Sequence, residues 1–264
     1  MDTQTFQTPG ELELELRIPS GSIEVRAIDT TETRLEIAGD HDPDAFRVTF
    51  DDRVSGGHRL AVEYRQRGRV FGWRDPDLRI DVTVPSGTNV SCETGSADLE
   101  VVGRAGSLSF RSGSGGCRFD DVDGDVKVKT ASGDVSGTSA GRRLTLQTAS
   151  GDASVRMVGG DLVGKSASGD LRFASVDGDI QATTVSGDVG IGRIAAGDAS
   201  IKSVSGDVEV GVAEGLHVFL DLSSTTGQTS IDFDMSGGSS GGAPADLELH
   251  VGTVSGDIRV VRAR

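Results

Sequence analysis

The chain has 264 residues, 38 of them glycine and one tryptophan, with 35% hydrophobic residues and a formal net charge of −15. This allows one large domain or two small ones, with a thin core shared by many short strands. The charge argues against a nucleic-acid backbone or an anionic lipid surface as the principal partner, since both would be repelled.

In chain order, Met1 to Thr5 lacks the positive and apolar stretches of a secretory signal, and no segment approaches the roughly 20 apolar residues that span a bilayer. A cytoplasmic location is the expectation, with the cell surface as the alternative if a signal has been removed. Glu11 to Ile18 alternates, with Leu12, Leu14, Leu16 and Ile18 on one side, and Ser20-Gly21-Ser22-Ile23-Glu24-Val25 has the shape of a corner and a strand. Arg69 to Arg74 is a basic, aromatic stretch in which Phe71 and Trp73 are candidates for a partner contact. The plainer reading folds the tryptophan ring back over the end of the strands. Ile80, Val82 and Val84 repeat the alternation before Pro85-Ser86-Gly87. Residues 1–87 therefore read as irregular N-terminal capping coils, with antiparallel hairpins allowed.

Residues 88–212 carry a regular array. The motif Thr/Ser-Ala/Val-Ser-Gly-Asp starts at Thr130, Thr148, Ser166, Thr184 and Ser203, and again later at Thr253. Gly133, Gly151, Gly169 and Gly187 are 18 apart, Gly206 follows at 19, and Gly256 belongs to the last copy. A second corner interleaves halfway, as in Asp123-Gly124-Asp125 and Asp177-Gly178-Asp179. Between corners, Val126 and Val128, Leu171 and Phe173, Val189 and Ile191, and Val208 and Val210 share one face, which is the period of a half-buried strand. Nine residues hold a strand of about five and a tight corner. Two such arms make a coil, and stacked coils place equivalent strands about 4.8 Å apart. The predicted fold is all-β, a parallel β-solenoid with about 18 residues per coil. In this reading Gly supplies a positive φ at the corners, while Asp and Ser bond the local backbone in Asx-type turns.

Stacking in register aligns Asp134, Asp152, Asp170, Asp188 and Asp207 in one column and Asp125, Asp161, Asp179 and Asp198 in a second. Adjacent carboxylates repel by about 1 kcal/mol in water, which bonds to corner amides or bound cations would offset. Turn capping is the structural reading and calcium binding the functional alternative, although calcium repeats carry more carbonyl-presenting glycines. Gly159 to Ser166 matches the phosphate-loop pattern, but a corner and a strand are expected after it instead of a helix. His41, His58, His217 and His250 sit in no metal or triad spacing, and the outward positions lack sugar-stacking aromatics, so neither an enzyme nor a cofactor is expected. Cys92 and Cys117 share strand parity with Val90 and Phe119 and are expected to point inward, a bridge between them being the minor alternative.

Leu216 to Met235 carries longer alternating strands, residues 236–245 form a Gly/Ser loop, and Leu247 to Val261 returns with a last Ser-Gly-Asp corner. Residues 213–264 thus read as C-terminal coils around a loop insertion, and 1–264 as one domain. The stretches 16–25 (Leu-Arg-Ile-Pro-Ser-Gly-Ser-Ile-Glu-Val), 81–87 (Asp-Val-Thr-Val-Pro-Ser-Gly) and 253–260 (Thr-Val-Ser-Gly-Asp-Ile-Arg-Val), with the serial Ser-Gly-Asp-Val strands, resemble a bacterial family of candidate adhesins built from β-strand repeats, a domain-of-unknown-function family. The resemblance covers nearly the whole chain and implies a β-solenoid without established catalysis. The expected function is a non-catalytic scaffold or protein-interaction module. The alternatives are a surface adhesin binding extracellular glycan or protein, and a calcium-binding repeat protein.

Overall fold

The computed structural model describes residues 2–39, 45–52, 57–65, 78–232 and 245–263. Phe71 and Trp73 lie outside the described residues, as does the Gly/Ser loop apart from Ala245. The chain divides into two compact units, 1–137 and 138–264, and the regular elements described in both are strands.

The first unit holds β1 (Asp2–Gln7), β2 (Leu12–Ile18), β3 (Ser22–Ile28), β4 (Glu32–Ala38), β5 (Phe46–Asp52), β6 (His58–Tyr64), β7 (Arg79–Pro85), β8 (Asn89–Thr94), β9 (Asp98–Ala105), β10 (Ser107–Ser112), β11 (Cys117–Val122) and β12 (Val126–Lys129). The strand β13 (Val135–Ala140) lies at the division. One sheet runs β1-β4-β7-β3-β9-β11 and the other β5-β6-β2-β8-β10-β12. A coil takes one strand from each sheet. The coil β2/β3 sits between β6/β7 and β8/β9, so stacking order departs from chain order. The pairs β1–β4, β4–β7 and β5–β6 are antiparallel. Here Phe6 meets Phe50 with ring centroids 5.0 Å apart, and Phe46 meets Tyr64 at 5.3 Å, aromatic contacts that close the first coils.

The second unit holds β14 (Leu144–Gln147), β15 (Ala153–Val158), β16 (Leu162–Lys165), β17 (Leu171–Val176), β18 (Ile180–Thr183), β19 (Val189–Ile194), β20 (Gly197–Lys202), β21 (Val208–Val212), β22 (Val218–Ser224), β23 (Thr229–Asp232), β24 (Leu247–Thr253) and β25 (Ile258–Arg262). Its sheets run β15-β17-β19-β21-β25-β23 and β14-β16-β18-β20-β24-β22. The register pairs Leu144 with Leu162, Leu162 with Ile180, and Ile180 with Ala199, the steps expected from the repeat. The final strands again leave chain order, because β24 pairs with both β20 and β22, and β25 with both β21 and β23.

Alternation buries one face of each strand. Leu162, Ile180, Leu171, Val189 and Val208 are at most 1% exposed. Removing such a side chain from water contributes about 1.5–3 kcal/mol, which explains how short strands with mixed outer faces hold one register. The fold is therefore an all-β, predominantly parallel solenoid.

Candidate interaction surface

The corner motif works differently from the sequence expectation. Gly133, Gly151, Gly169, Gly187, Gly206 and Gly256 are not among the positive-φ glycines, which among the described residues are Gly10, Gly21, Gly39, Gly87, Gly103, Gly197 and Gly215. Close approach is what selects glycine in the strict motif. A Cβ on Gly169 would overlap the Gly151 carbonyl oxygen, one on Gly187 that of Gly169, one on Gly206 that of Gly187, and one on Gly256 that of Gly206. Gly133 stands in the same relation to Gly115. Corners thus stack backbone on backbone at a spacing that leaves no room for a side chain.

The first residue of the motif, which sequence reasoning left without a role, closes the turn. Gly133, Gly151, Gly169 and Gly187 donate their N–H to Thr130 Oγ1 (3.0 Å), Thr148 Oγ1 (2.9 Å), Ser166 Oγ (2.8 Å) and Thr184 Oγ1 (3.1 Å). These hydroxyls are buried, so each bond satisfies a donor that water cannot reach. The recurrence of Thr or Ser three residues before Gly was the available signal.

The column aspartates bond from one coil to the next. Asp152 Oδ1 accepts from Asp170 N (2.9 Å), Asp170 Oδ1 from Asp188 N (2.9 Å), Asp188 Oδ1 from Asp207 N (2.9 Å) and Asp207 Oδ1 from Asp257 N (2.8 Å). Gln228 N continues the ladder onto Asp257 Oδ1 at 2.8 Å. Each carboxylate is thus held by an amide of the next coil, which offsets the repulsion along the column. The second column repeats the device, with Asp198 N donating to Asp179 Oδ1 at 3.0 Å. Arg143 donates to Asp161 Oδ2 at 2.7 Å and holds that carboxyl below the usual aspartate range. In the first unit Gly116 takes a column position and donates its N–H to Asp98 Oδ1 at 2.7 Å, while Asp134 follows in the next coil.

Among the described residues, no three His, Cys, Asp or Glu side chains form a group that could hold a metal ion. Leu162–Lys165 is a strand followed by a corner, so the phosphate-loop lookalike has no helix N-terminus. Cys92 and Cys117 are buried free thiols; burial pushes Cys92 up to about 12 and Cys117 up as well. His58 bonds Asp52 and His250 lies beside Asp221, in different units.

Among the described residues, each unit carries a shallow groove on its outer face. In the first unit Gly116 opens one of about 460 Å³ beside Glu24, Arg79, Asp98, Arg118 and Asp134. In the second, Gly190 and Gly192 leave one of about 550 Å³ between Arg156, Arg172 and Glu209. The corners of the second unit present an apolar row. Val185, Val204 and Val254 occupy the second motif position in successive coils and are 49%, 47% and 51% exposed. Ser205 N bonds Val185 O (2.8 Å) and Ser255 N bonds Val204 O (2.9 Å), which fixes their spacing beside the aspartate ladder.

A family model described as Toastrack DUF4097 matches residues 11–261. Among solved structures, a candidate adhesin from Bacteroides fragilis is 16% identical, with 98% of this chain and 96% of that chain covered and a TM-score of 0.48. A candidate adhesin from Parabacteroides distasonis is 10% identical, with coverages of 98% and 96% and a TM-score of 0.43. A candidate cell adhesion protein from Clostridium sporogenes is 8% identical, with 99% of each chain covered and a TM-score of 0.29. No curated protein matches the chain.

Proposed function

We propose that this chain, which belongs to the Toastrack DUF4097 family, works over residues 1–264 as one non-catalytic solenoid scaffold that binds another protein. The observation that carries the reading is the row of Val185, Val204 and Val254, held beside the ladder of Asp188, Asp207 and Asp257. An apolar ridge of fixed pitch flanked by carboxylates suits a protein surface with an apolar groove and a basic rim. The net charge of −15 likewise favours a basic partner.

A photo-cross-linking residue at Val204, compared with one at the exposed Gln181 on the other sheet, tests this in native cells. Support is a discrete adduct at 204 alone that disappears in Val185→Lys/Val254→Lys. Equal labelling at both positions, or none, rejects the ridge. Protease shaving of intact cells against lysate then separates the two locations: cleavage on intact cells favours an adhesin for an extracellular ligand, and protection favours an internal scaffold.

A further inference from the structure

The second unit ends on a coil whose outer edge has no described strand. Among the described residues, strand β22 pairs only with β24, and β23 only with β25. Their inward positions continue the core rows: Val218, Leu220 and Leu222 register with Leu247, Leu249 and Val251, and Ile231 with Val260. The inner partners are 0–2% exposed, whereas Val218, Leu220 and Leu222 are half-exposed and Ile231 is 39% exposed. Neither β22 (VFLDLSS) nor β23 (TSID) carries a lysine or proline to protect the edge. The first unit, by contrast, finishes in antiparallel strands and the Phe6–Phe50 contact.

We propose that this edge pairs with the same edge of a second copy of the chain, joining two molecules through an isologous, antiparallel β interface. The pattern of β22 is self-complementary about Leu220. A two-fold axis through that residue places Leu220 opposite Leu220 of the second copy and Val218 opposite Leu222, so the inward faces match. It also places Phe219 opposite Asp221, so the carboxylates do not face each other across the pair. An axis normal to the sheets reverses strand direction in both layers, so β22 and β23 meet their copies together and Ile231 is covered. Two acidic chains also repel at long range, which makes the association salt-dependent in a stated direction: screening strengthens it.

The test is sedimentation velocity with mass determination on the full chain across a concentration series, at low and at about 0.5 M salt. Expected are a species at twice the 27.3 kDa chain mass that grows with salt, and its loss in Leu220→Lys with the circular dichroism spectrum retained. Phe219→Arg, which puts a cation opposite Asp221 of the other copy, is expected to tighten the dimer about tenfold, and adding Asp221→Arg to return the affinity to wild type or weaker. A monomer at every concentration and salt overturns the proposal, whether residues 233–244 or another protein cover the edge. A dimer indifferent to both Leu220→Lys and Phe219→Arg overturns it as well. Neither result bears on the valine row, which the cross-linking experiment reads separately.

Discussion

Gly169→Ala separates close approach from backbone freedom as the reason for glycine at the corners. A Cβ at 169 overlaps the Gly151 carbonyl oxygen, a backbone atom with no rotamer to relieve the clash, so two coils must part locally. Three bonds are then strained, one inside the displaced turn, Gly169 N to Ser166 Oγ (2.8 Å), and two between the coils, Ser168 N to Ala149 O (2.8 Å) and Asp170 N to Asp152 Oδ1 (2.9 Å). At about 1 kcal/mol each the loss is about 3 kcal/mol. The lower chain entropy of alanine returns up to about 1 kcal/mol, leaving about 2–3 kcal/mol. At roughly 2–4 °C per kcal/mol for a domain of this size, the melting midpoint falls by about 4–12 °C. Urea and thermal unfolding followed by circular dichroism measure it. Gly190→Ala is the control, since the nearest atom to its Cβ is Arg172 Cγ at 3.9 Å, and it is expected to stay within about 0.5 kcal/mol of wild type. Gly169→Asn is expected to be at least as damaging as alanine, although asparagine tolerates positive φ. Rescue by asparagine, or a Gly169→Ala protein as stable as wild type, would refute the reasoning.

Thr184→Val removes the buried acceptor of the Gly187 N–H and is expected to cost about 1–3 kcal/mol in urea unfolding, with Thr184→Ser recovering most of it. The Asp161 carboxyl, followed by NMR, is expected to titrate below the ordinary value of 3.8 and to move upward in Arg143→Gln. Because its folded pKa is depressed, its contribution to stability is present above the unfolded pKa and disappears as pH falls through the folded one. Cys92 and Cys117 are expected to resist a thiol reagent in the native protein and to react fully in urea, since burial disfavours both thiolates. Millimolar calcium, compared with chelator, is expected to leave the melting midpoint unchanged, because the column carboxylates already accept amides; a rise of several degrees would restore a cation role.

Strand parity and coil length were legible because both are local: Val126 and Val128 or Leu171 and Phe173 declare a buried face, and repeated glycines declare the step. Which coil stacks on which was not legible at either unit's irregular strands. Leu12–Leu16, Leu60–Val62 and Val90–Cys92 offer equivalent apolar faces, so parity cannot choose their neighbours. The same holds for Leu220–Leu222 and Leu249–Val251. The reason for each corner glycine was hidden for a related cause, since the atom that excludes a side chain belongs to the preceding coil. Asp188 and its equivalents were identified as a column, but their acceptor role depends on an amide 19 residues away.

The most direct test of the account places rigid nitroxide pairs on the outer face of one sheet, with Thr145→Cys combined either with His250→Cys or with Asp221→Cys. Thr145, Val163, Gln181, Ser200, His250 and Asp221 occupy successive strands of the register. At about 4.8 Å per strand, position 250 lies about 19 Å and position 221 about 24 Å from position 145, before label linkers are added. The 145–221 distance is expected to exceed the 145–250 distance by about one strand spacing, although residue 221 comes first in the chain. The reverse order, or equal distances, would contradict both the parallel coil stacking and the open edge formed by β22.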